Sequence, residues 1–196
     1  WRINGNSQTA ISGKWINSPG RTLLNKVKHD LEVDHLPIIA EDLGVITPDV
    51  DKLRNFFKLP GMKILQFAFD GNEDNPYLPK NIKGENWVVY TGTHDNSTSI
   101  SWWKCLDSNA RSRISDEFNF SDNPSWSLIQ IGMNTNANLF IVPIQDILSL
   151  DDSCRLNRPG TIKNNWKWKL NQPLTQIEEN MRIFSKLGRD SGRITN

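Results

Sequence analysis

The sequence predicts an α/β fold built on a parallel sheet, and three observations support this prediction. Short apolar runs bounded by turn residues, which are typical of buried strands, occur at 36–40, 62–69, 87–92 and 139–144. Helical segments separate the runs, and this alternation produces a parallel sheet with helices on its faces. Polar groups follow each run, as in barrels whose active site lies at the carboxyl ends of the strands. Four strands are half of eight, so we expect half of a (β/α)8 barrel.

The first part of the chain carries clear helix signals. After an N-terminal loop rich in Asn, Ser, Gly and Thr, a short helix is expected at about 21–31. The second helix is expected to begin at Thr47, whose hydroxyl would cap it, and at Pro48, whose missing N–H is harmless in a first turn. A Pro-Gly pair at 60–61 ends this helix.

The second part of the chain continues the alternation of strands and helices. A long polar loop is expected at 71–86, between the second and third strands. Helical spacing predicts one helix from 102 to 118, another at 125–138, and an amphipathic last helix over 174–184. No low-complexity segment or short repeat interrupts this pattern.

Composition excludes several classes of partner. Lys and Arg number 23 against 22 Asp and Glu, and no basic run offers a stripe for phosphates, so we expect no nucleic acid. No apolar run has the length to span a membrane. Cys105 and Cys154 are far apart, which does not suggest a zinc site or a disulfide framework. We therefore expect no cofactor or metal, and a cytoplasmic protein whose true N-terminus lies upstream of Trp1.

Tryptophan is unusually frequent, with eight residues against two tyrosines. Indole rings bury much apolar area in a core, and they also form flat platforms for the apolar faces of sugar rings. For any single tryptophan the core is the more common location, so both alternatives stay open.

Acidic and polar side chains stand at the predicted strand ends: Glu41-Asp42, Asp70, His94-Asp95-Asn96 and Gln145-Asp146. Glycosidic bonds are cleaved by two carboxyl groups that face one sugar, one as acid and base and the other as nucleophile. Each of these residues could instead cap the next helix or form a turn. Metal binding is less favoured, because the chain has only three histidines and two of them lie in another segment.

Glu41 is the most suggestive of these groups. It follows an apolar run at 38–40, and we expect its carboxyl to be buried there. An apolar surrounding raises a carboxyl pKa into the range that suits a general acid.

Several motifs in order resemble the amylomaltases, or disproportionating enzymes, of glycoside hydrolase family 77, which are retaining α-glucan transferases. The motifs lie at 39–48, 59–63, 66–69, 75–79, 90–96, 159–161 and 165–168. The resemblance runs from about residue 13 to residue 170, nearly the whole chain.

The resemblance implies roles for single residues. Glu41, in Ala-Glu-Asp-Leu-Gly, is similar to the family's general acid/base at the end of barrel strand five. Asp95, in His-Asp-Asn, is similar to the transition-state stabiliser at strand seven, and His94 to a partner of the same sugar. Asp70 and Asn165 match positions that line the acceptor and donor grooves.

The resemblance also implies that residues 1–196 are the C-terminal part, about strands five to eight, of a single catalytic TIM barrel domain. The family's nucleophile is an Asp in an Arg-x-Asp-His-Phe-Arg-Gly stretch at strand four, and that stretch does not occur here. We therefore expect the N-terminal half to be missing and this chain alone to be inactive. The family usually has Gly where this chain has Asn164, and Met-Asn near Leu156-Asn157, so we expect an altered groove loop here.

The function that the resemblance implies is that of a 4-α-glucanotransferase. Such an enzyme moves α-1,4-glucan segments between maltooligosaccharides or starch-derived glucans by double displacement, so its partners are a donor and an acceptor glucan. The carboxylates themselves leave transfer and hydrolysis open, and chain-length preference and oligomeric state are not predicted. The alternative from another class is a non-catalytic α-glucan-binding protein on a decayed barrel.

Overall fold

The computed structural model describes residues 1–171 and 173–194. The chain divides into two compact units, the first formed by Trp1–Ile38 with Val45–Leu59, the second by Ile39–Gly44 with Pro60–Asn196. Among the described residues, no helix has both the length and the apolar character needed to cross a lipid bilayer.

The first unit contains a short antiparallel ribbon, β1 (Arg2–Ile3) with β2 (Gly13–Lys14), and two helices, α1 (Gly20–Asp30) and α2 (Pro48–Phe56). Both predicted helices are confirmed, but α2 ends at Phe56, before the Pro-Gly pair at 60–61 that was predicted to end it. The prediction that the Thr47 hydroxyl caps α2 is wrong, because no hydrogen bond joins that side chain to the helix. Pro48 alone presets the first turn.

The second unit is built on a three-stranded parallel sheet of β3 (Gly61–Ile64), β4 (Trp87–Tyr90) and β5 (Leu139–Ile141), in that order. Ile64 pairs with Tyr90, which pairs with Ile141, so the three strands end at one level. The predicted α/β class with a parallel sheet is therefore confirmed. The strands are shorter than predicted, because a 3-10 turn over Leu65–Phe67 follows β3 and the chain leaves β4 after Tyr90.

The remaining helices of this unit are α3 (Ser99–Cys105), α4 (Ser108–Phe118), α5 (Pro124–Met133), α6 (Ile144–Ile147) and α7 (Leu174–Asp190). The single helix predicted over 102–118 is wrong, since it is divided into α3 and α4. Asp107 causes the division, because its side chain accepts a hydrogen bond from the Ala110 N–H (2.8 Å) and caps a new helix.

The strand predicted at 36–40 is also wrong, because this segment has no ladder of strand hydrogen bonds. Pro37 has no N–H to donate. Ala40 donates to the carbonyl of Pro60 (2.8 Å), just before β3 begins. This bond joins the Glu41 segment to the sheet without extending the sheet.

The core of the second unit lies between the sheet and helices α4 and α5. Leu65, Val89, Ile114 and Leu128 are almost fully buried there. Trp87, Trp102 and Trp103 pack against the same cluster, so for these indoles the core location is the one found. A second apolar cluster, around Ile129, Met133 and Ile147, has Phe184 and Leu187 of α7 packed against it.

Candidate active site

A cleft of about 850 Å³ lies at the carboxyl ends of the three parallel strands. Four segments of the second unit line it: the Glu41–Leu43 turn, the loop after β4, the segment after β5, and a loop between α6 and α7 (residues 151–168), called the C-terminal loop below. Glu41, His94 and Asp95 are all among the lining residues. The structure therefore brings together, at one opening, the three residues to which the sequence assigned the chemistry of a single sugar.

Glu41 is held by its neighbours in a turn beside β3. The Asp42 carboxylate accepts a hydrogen bond from the Met62 N–H (2.7 Å), which ties the turn to the strand. Glu41 itself accepts from the Leu43 N–H (2.7 Å). The expectation that Glu41 is buried is wrong: its side chain is exposed, because it bonds to its own turn at the open side of the cleft.

The loop from 91 to 98 carries His94 and Asp95 and joins β4 to α3. Within it, Asn96 Oδ1 accepts hydrogen bonds from the N–H and the hydroxyl of Thr93, both at 2.8 Å. Gln66 donates from Nε2 to the Ser97 carbonyl (2.9 Å). A Cβ at Gly92 would lie 2.8 Å from that same amide, so a larger residue at this position would displace the Gln66 side chain. Local bonds thus fix the shape of the loop.

Asp95 and His94 form the polar centre of this loop. The Nε2 atom of His94 lies 3.2 Å from Asp95 Oδ1, and the Asn157 amide donates to the same oxygen at 2.6 Å. Both side chains are about half exposed toward the cleft. The Trp166 ring lies 5.0 Å from the His94 ring and is mostly exposed, so this indole is available to a ligand rather than buried in the core.

Asp146 also lines the cleft, but its carboxylate is buried. It accepts hydrogen bonds from the Thr91 hydroxyl (2.5 Å), the Ser99 N–H (2.8 Å) and the Ser99 hydroxyl (2.8 Å). Burial raises the pKa of Asp146, and the hydrogen bonds from Thr91 and Ser99 oppose that rise. One carboxylate therefore anchors both ends of the loop that carries Asp95. The sequence singled out Asp146 but could not reveal this role.

Two predicted site residues are not among those that line the cleft. Asp70 is exposed, and its carboxylate accepts from the Asn72 N–H (2.9 Å). Hydrogen bonds from the Asn75 side chain and the Asn72 backbone lower the pKa of Asp70. Asn165 accepts from the Arg158 N–H (3.0 Å) and donates to the Thr161 carbonyl (3.0 Å), so its amide closes its own loop.

Sequence reasoning missed three residues of the C-terminal loop that contact the Asp95 loop: Asp152, Arg155 and Asn157. Arg155 donates to the Asp95 carbonyl (2.5 Å) and to the Ser97 hydroxyl (3.0 Å). Asp152 accepts from the Thr98 N–H (2.9 Å). These residues follow no strand and have no periodic spacing, and the sequence drew attention to this loop only at Leu156-Asn157, where the family usually has Met-Asn.

Known proteins are similar to this chain over most of its length. The family model described as 4-alpha-glucanotransferase matches residues 1–175. The 4-alpha-glucanotransferase of Synechocystis is 43% identical over 171 residues, 86% of this chain and 34% of that protein. The chloroplastic/amyloplastic 4-alpha-glucanotransferase of Arabidopsis thaliana is 41% identical over 192 residues, 97% of this chain and 32% of that protein.

A solved structure, the amylomaltase of Streptococcus agalactiae in complex with acarbose, superposes with a TM-score of 0.89 at 29% identity. The superposition covers 98% of this chain and 39% of that protein. The chain thus spans about a third of the length of the relatives that it matches. Because the family model covers 175 of the 196 residues, the chain belongs to the 4-alpha-glucanotransferase family.

Proposed function

We propose that the complete protein is a 4-α-glucanotransferase that moves α-1,4-glucan segments from a donor to an acceptor maltooligosaccharide. The observation that carries the proposal is the shared cleft: Glu41, in the turn beside β3, and Asp95, in the loop after β4, line one opening at the carboxyl ends of the parallel strands. Membership of the 4-alpha-glucanotransferase family supports it.

In this proposal Glu41 is the general acid/base. It protonates the glycosidic oxygen as the donor bond breaks, and later takes a proton from the 4-hydroxyl of the acceptor. Its exposed position in the cleft gives both the leaving and the entering glucan access to the same carboxyl. Among the residues that the structure describes, the Glu41 carboxyl is held through one oxygen, by the Leu43 N–H, and its other oxygen is left to the sugar.

Asp95 is the transition-state stabiliser in this proposal. Positive charge develops on the sugar ring as the glycosidic bond breaks, and hydrogen bonds to ring hydroxyls strengthen at that moment. Asp95 Oδ1 is engaged by Asn157 and His94, so its other oxygen faces fewer competitors for a sugar hydroxyl. His94 lies beside it and supplies a further polar contact, with the exposed Trp166 next to its ring.

The double displacement needs a nucleophilic carboxylate, which the family resemblance assigns to a motif outside this sequence. We propose that residues 1–196 form the C-terminal part, about strands five to eight, of one catalytic (β/α)8 barrel. The parallel order β3-β4-β5, with a cleft at the strand ends, supports this arrangement. The exposed Asp70 and the loop held by Asn165 would then line outer parts of the groove.

The proposed partners are a donor and an acceptor α-glucan. The Streptococcus agalactiae relative was solved in complex with acarbose, which supports a glucan-like ligand for this cleft. The cleft is mainly apolar at Ile141–Ile144 and polar at the Asp95 loop, a combination that suits sugar rings with apolar faces and hydroxyl edges. A cytoplasmic location and the absence of nucleic-acid and membrane partners stay predictions.

The test uses the complete open reading frame that encodes these residues, expressed as one protein and incubated with maltotriose. Transfer yields a ladder of longer and shorter maltooligosaccharides. Glucose and maltose alone would indicate hydrolysis instead. Binding of maltooligosaccharides without any product would favour a glucan-binding protein and contradict the proposed activity.

A further inference from the structure

Asn157, in the C-terminal loop, forms hydrogen bonds to the Asp95 carboxylate and to the residue before it. Asn157 donates from its side-chain amide to Asp95 Oδ1 (2.6 Å), and from its backbone N–H to the His94 carbonyl (3.2 Å). Among the residues that the structure describes, no hydrogen bond or ion pair reaches Asp95 Oδ2. Asn157 therefore holds one carboxylate oxygen and leaves the other to a ligand in the cleft.

Arg155 donates hydrogen bonds to the loop that carries Asp95 (residues 91–98). Its guanidinium donates to the Asp95 carbonyl (2.5 Å), to the Ser97 hydroxyl (3.0 Å) and to the carbonyl of Asn157 (2.8 Å). The Arg155 side chain therefore bonds both to Asp95 and to Asn157, the residue whose amide holds the Asp95 carboxylate. The planar fork of a guanidinium can make these three bonds at once, whereas an ammonium cannot reach them from one position.

Asp152 keeps the guanidinium in place. It lies 3.3 Å from Arg155 Nη1 and accepts hydrogen bonds from the Thr98 N–H (2.9 Å) and the Ser97 hydroxyl (3.2 Å). The Arg155 side chain is only 16% exposed, so this ion pair is partly shielded from water. Arg158 also approaches Asp152, at 3.7 Å, but it is exposed and has no bond to the Asp95 loop.

We propose that Arg155 and Asn157 are positioning residues for Asp95, acting together to fix the direction of its carboxylate in the cleft. The inference rests on the proposed function, because it assigns the two residues to the stabilisation of the same transition state. Neither residue needs to touch the sugar. Their contacts concentrate on His94, Asp95 and Ser97 rather than on the apolar core, which separates this role from general support of the fold.

The first test compares Arg155 with an arginine on α7. In the complete protein, Arg155→Lys keeps the charge beside Asp152 but loses the fork, while Arg182→Lys makes the same change at an exposed arginine that pairs with Glu178 (2.7 Å). We expect Arg155→Lys to lower kcat for maltotriose transfer by about tenfold, the effect of one lost hydrogen bond to a charged group. KM should stay within about threefold, because the loss falls on the transition state. Arg182→Lys should change neither constant by more than about twofold.

The second test is a double-mutant cycle that uses acarbose as the probe and titration calorimetry as the readout. In the wild-type background, Asn157→Ala should raise the Kd for acarbose about tenfold. In an Asp95→Ala background, the same change should raise it by less than about twofold, because the amide then has no carboxylate to position. A residue that only supported the fold would have equal effects in both backgrounds.

Equal effects of Arg155→Lys and Arg182→Lys on kcat, or equal effects of Asn157→Ala in both backgrounds, would overturn the inference while leaving the proposed function intact. A complete wild-type protein that neither rearranges maltotriose nor binds acarbose would instead refute the proposed function, and the inference with it.

Discussion

Replacing Asp146 with alanine tests how the Asp95 loop is anchored. In the wild-type protein this carboxylate is 2% exposed and accepts hydrogen bonds from Thr91 at the end of β4 and from Ser99 at the start of α3. Both partners are fully buried. The substitution removes the acceptor of these buried donors.

The magnitude follows from the number of donors left unsatisfied. A buried backbone N–H without an acceptor costs about 1–3 kcal/mol, and the hydroxyls of Thr91 and Ser99 add smaller amounts because they rotate to other acceptors. Desolvation of the Asp146 carboxylate, which raises its pKa, offsets part of this loss. We expect Asp146→Ala to lower the free energy of unfolding by about 2–4 kcal/mol.

Urea unfolding of the complete protein, followed by tryptophan fluorescence, measures this change. Asp116→Ala is the matched control, because Asp116 is exposed on α4 and its loss should change stability by less than about 0.5 kcal/mol. The transfer activity of Asp146→Ala should also fall below that of the control when both are fully folded. If Asp146→Ala were as stable and as active as Asp116→Ala, the anchoring role would be refuted.

The raised pKa of Asp146 gives this site a pH dependence with a definite sign. Because burial disfavours the charged form, the folded protein keeps this proton at a pH where the unfolded chain, with its ordinary value of 3.8, has lost it. The stability of the wild type relative to Asp146→Asn, which cannot titrate, should therefore decrease as the pH rises from that value through the raised folded pKa. A difference that grew with pH over this window would contradict the direction of the shift.

Three further predictions concern other parts of the second unit. Glu41→Gln in the complete protein should lower transfer from maltotriose by at least about a hundredfold, because an amide cannot act as acid or base, and retained activity would refute that role. Arg193→Ala should lower the free energy of unfolding by about 2–3 kcal/mol in urea titrations, because the guanidinium donates to backbone carbonyls at and beyond the C-terminal end of α5. An unchanged urea midpoint would contradict this stabilising role. Gly132→Ala should lower the free energy of unfolding by about 1–3 kcal/mol in the same assay, because the new Cβ would lie 2.2 Å from the Phe140 ring. Alanine favours helices, so a variant more stable than the wild type would show that the ring moves aside freely.

The sequence predicts the elements of the fold better than their ends. Apolar runs locate all three strands although their burial differs: Val88 and Val89 of β4 are fully buried, whereas Leu139 and Ile141 of β5 are exposed. The runs continue beyond the last ladder bond, as at Thr91, whose hydroxyl bonds to Asp146 instead. The apolar run at 36–40 has the composition of a strand without its pairing. Hydrophobic pattern alone cannot distinguish a paired strand from a buried extended segment.

The candidate site divides in the same way. Glu41, His94 and Asp95 were predictable because they follow apolar runs and stand in motifs with a strong family resemblance. The burial of Asp146 and the hydrogen bonds from Arg155 and Asn157 to Asp95 were not predictable. These contacts join residues about 50 to 60 positions apart, in segments without periodicity. Such contacts depend on how the loops meet in three dimensions, which short-range sequence patterns do not encode.

A crystal structure of the complete protein with bound acarbose tests most directly whether Glu41 and Asp95 act on one glycosidic bond. We expect Asp95 to hydrogen-bond, at about 2.6–3.2 Å, the sugar ring next to the linkage whose oxygen Glu41 approaches, with Asn157 still bonded to the other oxygen of Asp95. Acarbose bound outside this cleft, or bound in it with Glu41 and Asp95 contacting rings that are not joined to each other, would contradict the account.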